Sequence, residues 1–115
     1  MANTFKVVTK AGVTSADVIY TVAGSTTTVV LGIMLGNTTT SQITATVTIE
    51  SDTSNRAGAN NEANQNVELV TNAPIPSGAS LELLAGNKVI METTDVLKLT
   101  ATGATDITLS IMEIT

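Results

Sequence analysis

Ile43-Thr44-Ala45-Thr46-Val47-Thr48-Ile49-Glu50 alternates apolar and polar residues without a break. Successive side chains of an extended chain point to opposite sides, so Ile43, Ala45, Val47 and Ile49 share one face while three threonines and a glutamate share the other. Wound as a helix, the same residues would scatter round the axis, and their β-branched side chains would lose χ1 freedom. The stretch is therefore a half-buried strand with a hydroxyl-coated outer face.

The same period recurs on both sides of it. Ile107, Leu109 and Ile111 alternate with Thr108 and Ser110, and Leu97 and Leu99 with Lys98 and Thr100. Further strands are expected at 4–9, 18–22, 28–36, 66–71, 80–84 and 88–91, each bounded by Gly, Asn, Asp, Ser or Pro. Eight or nine short strands with a turn signal about every ten residues predict an all-β fold, an antiparallel β-sandwich of jelly-roll or immunoglobulin-like type. At 115 residues the chain is read as a single domain, 1–115, long enough to bury a core without staples. Pro74-Ile75-Pro76-Ser77-Gly78 belongs on a sheet edge or in a connection, because proline cannot donate to a ladder.

Two strands break the simple pattern. Between Thr28 and Gly36, Val29, Leu31, Ile33 and Leu35 fall on one face, yet Val30, Gly32 and Met34 leave the other face apolar as well. That second face is expected to be covered either by a loop or by another chain. At the end of the sequence, Met112 and Ile114 lie opposite the Ile107–Leu109–Ile111 face, so either a bulge near Met112 resets the register or the last strand is apolar on both sides; the bulge is the expectation. Residues 51–66 contain nothing larger than alanine to anchor them in a core, apart from the polar and charged types, and form a long polar loop. It reads either as a hairpin tip, with Ala57, Ala59 and Ala63 allowing one helical turn, or as an arm that orders against a neighbouring subunit. The residues singled out as interface candidates are Val30, Gly32, Met34, Arg56, Asn60, Asn61, Glu62, Met112 and Ile114.

Composition narrows the function. Twenty-two threonines, twelve valines and nine isoleucines fill more than a third of the chain, Phe5 and Tyr20 are its two aromatics, and Cys, His and Trp are absent. Thiolate and imidazole chemistry is thereby removed, whether as nucleophile, general base or transition-metal ligand. The carboxylates Glu82, Glu92, Asp95, Asp106 and Glu113 do not form an acid–base pair by spacing, Glu92 and Asp95 being read as solvated turn residues. Asp52, Asn55, Asn60, Asn61 and Glu62 offer oxygen ligands but lack the order of a calcium loop and enclose Arg56. No catalytic, cofactor or metal residue is assigned, and the chain is read as no enzyme. A net charge of −5 repels phosphate backbones and anionic lipid, so neither nucleic acid nor membrane is an expected partner. The polar start Met1-Ala2-Asn3-Thr4 does not read as a signal peptide. Asn37-Thr38-Thr39 matches a glycosylation sequon.

Several pieces, in their order and spacing, resemble one family: Ala2-Asn3-Thr4-Phe5-Lys6, Val18-Ile19-Tyr20-Thr21-Val22, Pro74-Ile75-Pro76-Ser77-Gly78-Ala79-Ser80-Leu81, Asp95-Val96-Leu97-Lys98-Leu99-Thr100 and Ser110-Ile111-Met112-Glu113-Ile114. Together they are similar to small β-sandwich virion structural proteins of tailed bacteriophages, especially phages of marine cyanobacteria. The resemblance implies a protein made in the host cytoplasm and carried on the virion. Its first implied role is capsid decoration, a cement that binds the major capsid protein of the assembled shell in many copies or as a homo-oligomer. A neck or tail component is the alternative. A carbohydrate-binding or surface-adhesion module is more remote, since such modules stack sugars on aromatic rings.

Overall fold

Each alternating stretch of the sequence becomes a strand in the computed structural model, which describes residues 2–51 and 65–115. Nine antiparallel strands follow one another: β1 (Asn3–Val13), β2 (Ala16–Thr21), β3 (Thr27–Asn37), β4 (Ile43–Ser51), β5 (Gln65–Ile75), β6 (Ser80–Glu82), β7 (Val89–Met91), β8 (Val96–Ala101) and β9 (Thr105–Ile114). One sheet has the order β1-β9-β3-β6, with β7 also on β3, and the other the order β2-β8-β4-β5. The pairs β1–β9, β2–β8, β3–β6/β7 and β4–β5 nest inside one another along the sequence. The chain is thus one long hairpin whose two arms are wound together into two sheets, which is the jelly roll among the two sandwich types expected. The ends of the arms meet: Ala2 and Thr115 exchange backbone hydrogen bonds of 3.1 and 3.0 Å.

Strand β4 orients as its alternation dictates. Ile43, Ala45 and Val47 are buried between the sheets, and Thr44, Thr46 and Thr48 face outward. Facing them from the other sheet are Val30, Ile33 and Leu35 of β3 and Ile107, Leu109 and Ile111 of β9, so the centre of the core is wholly aliphatic. Pro74 lies on the edge strand β5, opposite Thr44, where its missing N–H costs nothing. Pro76 opens a tight turn closed by Ala79 N–H to Pro76 C=O at 3.0 Å, with Gly78 supplying the positive φ of 71° at its third position.

The doubly apolar strand has a simpler cause than a second cover. Val30 pairs with Ile111 but Gly32 pairs with Ser110, so Leu31 is an extra residue, a bulge. Before it Thr28 and Val30 point inward; after it Ile33, Leu35 and Asn37 do. The expectation that Val30 shares an outer face with Gly32 and Met34 is therefore corrected: Val30 is fully buried, while Gly32 and Met34 face outward. The last strand goes the other way. Its pairing with β1 runs unshifted from Asn3–Ile114 to Lys10–Ile107, so no bulge lies near Met112, and Met112 and Ile114 face outward with partial exposure.

Asn37, carried inward by the bulge, ties the sheets together at one end. Its side-chain N–H groups reach the carbonyls of Ser41 (2.9 Å), Ile75 (2.9 Å) and Pro76 (3.2 Å), and its Oδ1 accepts from the backbone N–H (2.8 Å) and hydroxyl (2.7 Å) of Thr39. At 4% exposure and with its amide committed, it is not placed as a glycan acceptor. Asp95 is also buried, accepting the Glu92 N–H at 2.9 Å within its turn, rather than solvated as expected. Asn37→Ala should strip buried carbonyls of their donor and cost about 2–3 kcal/mol, read as a fall in ΔG of unfolding by denaturant titration.

Candidate protein-interaction face

The sandwich has two outer faces, and they differ in chemistry. On the β2-β8-β4-β5 sheet the outward residues of neighbouring strands are Ala16–Thr100–Thr46 and Val18–Lys98–Thr48–Glu68, with Lys98 bridged to Glu50 at 2.9 Å. Apart from Val18, these are hydroxyls, charges and small groups. Thr46 also accepts the N–H of Asn72 at 2.9 Å. Such a face hydrogen-bonds water along its length.

The outer face of the other sheet carries an apolar row. Phe5 stands opposite Met112, Met112 opposite Val29, and Val29 opposite Ile90, so one side chain from each of β1, β9, β3 and β7 lines up across the sheet. The next row is Val7–Ser110–Gly32 and the one after it Thr9–Thr108–Met34–Glu82. Phe5 is 72% exposed, Val7 and Ile90 65% each and Met34 48%. Ile114 and Thr27 flank the first row on its other side. Neither of the two rows through Phe5 and Val7 contains a charged side chain; Glu82 and Asp106 lie towards the opposite end of the sheet. A contiguous apolar surface on one face of a small domain marks a place where another molecule packs.

Strand β1 owes this arrangement to its own alternation. Lys6, Val8 and Lys10 point to the inner side, where Lys6 bridges Glu113 at 2.7 Å and Lys10 bridges Asp17 at 2.8 Å. Inward lysines on an edge strand discourage a foreign strand from pairing there, and the register that places them inward places Phe5 and Val7 outward. Sequence reading placed both in the 4–9 strand without assigning its faces; the signal was the pair of lysines on the opposite parity. Ile90, on a strand of three residues, gave no periodic signal at all.

Gly32 has a further effect. With no side chain in the Val7–Ser110 row it leaves a hollow of about 220 Å³ bounded by Met34, Glu82, Thr108 and Ser110. A β-carbon built on Gly32 would meet nothing within 4 Å. Of the nine interface candidates, Gly32, Met34, Met112 and Ile114 come together on this face, Val30 lies beneath it in the core, and Arg56, Asn60, Asn61 and Glu62 lie outside the described residues.

Under the same end of the sheet sits a polar cluster that joins the two layers. The Tyr20 hydroxyl of β2 donates to Glu113 Oε2 at 2.5 Å and lies 2.7 Å from Thr28 Oγ1. Burial, and then the hydrogen bond to a carboxylate, push the Tyr20 phenol up to about 12 from its ordinary 10.0. Glu113 is held below its ordinary 4.5 by Lys6 and by Tyr20. The cluster serves as a clamp across the sandwich, since its carboxylate stays ionised and satisfied.

No family model matches the chain, and no curated protein matches it. Solved structures do. A chain in the structure of infectious bursal disease virus, Gx strain, superposes with a TM-score of 0.53 at 10% identity over 96% of this chain and 33% of that one. A subunit from Bacillus endospore appendages, which form a novel family of disulfide-linked pili, gives 0.48 at 15% identity over 99% and 87%. A mutant VP2 protein of infectious bursal disease virus in derived T=1 particles gives 0.45 at 10% identity over 96% and 35%. This chain spans about a third of the length of the first viral chain. The β-sandwich is a fold shared with that viral protein.

Two outcomes follow. Val30→Lys should bury an unpaired charge and cost more than about 4 kcal/mol, so the variant is unfolded by circular dichroism, whereas Met34→Lys should fold within about 1 kcal/mol of the parent. The second concerns pH. A phenol whose pKa is raised by folding contributes stability that is complete below pH 10.0 and lost on the way to about pH 12, and a carboxylate whose pKa is depressed contributes stability present above 4.5 and lost as acid protonates it in the fold. Tyr20 is the one tyrosine, so tyrosinate absorbance should titrate near 12 in the folded chain and lower in Glu113→Gln.

Proposed function

We propose that the chain is a non-enzymatic structural subunit of a virion, present in many copies, and specifically a decoration protein that binds the assembled capsid and stabilises it. The observation that carries this reading is the contrast between the two outer faces of one sandwich, hydroxyl-coated on one sheet and crossed on the other by an exposed apolar row drawn from four strands. A domain meant to stand alone in water has no use for an exposed row of Phe, Met, Val and Ile, while a subunit of an assembly buries it between proteins. The fold shared with a chain of infectious bursal disease virus supports a place in a shell. With no cysteine in the sequence, its contacts are not disulfide bonds.

The mechanism is mass action. A subunit that binds only the assembled shell makes disassembly costlier, by about 2.7 kcal/mol per site when free subunit stands a hundredfold above its dissociation constant. Repetition by symmetry multiplies that modest term over the particle. Mass spectrometry and reconstruction of purified particles should place the chain on the capsid exterior, and adding it to bare shells should raise the temperature at which they come apart. Recovery of the chain from cellular filaments, or shells that neither bind it nor gain stability, would overturn the reading.

A further inference from the structure

We infer that the apolar outer face of the β1-β9-β3-β6 sheet is covered by a second copy of this chain, packed sheet on sheet about a two-fold axis that lies in the interface. The inference rests on the reading of this face as a buried subunit contact and names its occupant as a second copy, which leaves contact with a shell to the dimer's outer faces and edges. Three features of the face point to a copy rather than to a different protein.

Size is the first. Four strand positions at about 4.8 Å and ten residues at about 3.3 Å present roughly 19 by 33 Å, on the order of 600 Å² before side-chain relief is counted. A standard stable interface takes about 800 Å² from each partner. The whole face, its polar rows included, therefore approaches what a dimer needs, and two sheets stacked about 10 Å apart is how a sandwich already buries its inner faces.

Charge is the second. The rows through Phe5 and Val7 are uncharged, so nothing there calls for a partner of opposite sign. Glu82 lines the far side of the Gly32 hollow and Asp106 lies beyond it, so the Phe5 row itself meets its copy without like charges facing each other.

Shape is the third, and it decides for self-association. An isologous contact requires that one surface carry both a projection and the recess that receives it, because residue i of one copy meets residue j of the other while j meets i. This face carries both. Phe5 projects at 72% exposure from β1, and two strands away, one row along, the missing side chain of Gly32 leaves its hollow of about 220 Å³ on β3. Ile33 and Met34 give the hollow its apolar lining, and Thr108, Ser110 and Glu82 complete it. A two-fold axis midway between Phe5 and Gly32 sends each phenyl ring into the other copy's hollow, against Met34. The resulting dimer has four layers, and both of its external faces are the hydroxyl-coated sheets.

Sedimentation velocity on the purified chain over a range of concentrations tests this. The parent should dimerise with a dissociation constant in the micromolar range or tighter, and Phe5→Lys and Gly32→Val should each weaken it at least tenfold with circular dichroism unchanged, since Phe5 is exposed and the new β-carbon at 32 has open space. Thr46→Lys, on the other outer face, should dimerise like the parent. A parent that stays monomeric at the highest concentration reached, variants at 5 and 32 that dimerise unchanged, or an equal loss from Thr46→Lys would each overturn the inference. A monomer that still binds and stabilises shells defeats the dimer and leaves the decoration reading standing; a dimer that ignores shells does the reverse.

Discussion

One inserted residue, Leu31, sets the terms for the rest of the molecule. In a strand with one buried side, a shift of one residue exchanges the faces of everything beyond it. Without the bulge, a strand that buries Val30 would turn Gly32 and Met34 into the core and send Ile33, Leu35 and Asn37 to solvent. With it, β3 supplies inward side chains on both sides of the irregularity, and the apolar residues it cannot bury are gathered on one outer face. The buried amide of Asn37 and the hollow over Gly32 are consequences of the same insertion.

Strand β3 is also where the other edge of the sheet is divided. β7 pairs with it at Thr28–Val30 and β6 at Met34–Gly36, so one edge position is shared by two short strands, and the bulge lies opposite the gap between them. Short, interrupted edge strands resist pairing with a foreign chain. The long edge β5 is protected differently, by Pro74, by two register irregularities against β4 and by Asn72 at a φ of 47°. The β6/β7 edge and the β5 edge are thus guarded, and it is a face that carries the apolar surface. Association through side chains on a face keeps the subunit's own hydrogen-bonded ladders intact.

Much of the fold was legible where alternation was strict. Ile43–Ile49 and Ile107–Ile111 each oriented correctly because a period of two allows no other face, and the proline pair pointed to an edge because a missing N–H has nowhere else to go. The polar cluster of Tyr20, Thr28, Glu113 and Lys6 was not legible, since its members are up to 107 residues apart in sequence and meet only when β2 is laid over β3 and β9. The outward placing of Phe5 and Val7 was not legible either. Hydrophobicity alone points them inside, and the register of β1 on β9, which pairs Phe5 with Met112 and Lys6 with Ile111, turns them out.

The order of residues alone determined that this chain is a sandwich of antiparallel strands, with no thiol or imidazole chemistry and with one strand face coated in threonine. Those conclusions depend on composition and on a period of two, both local properties. Which of two apolar faces on β3 is core, and which side chains from four different strands form one row, was decided by tertiary structure. Register between strands is a relation among distant segments, fixed by where a single extra residue relieves the ladder, and no local pattern records it.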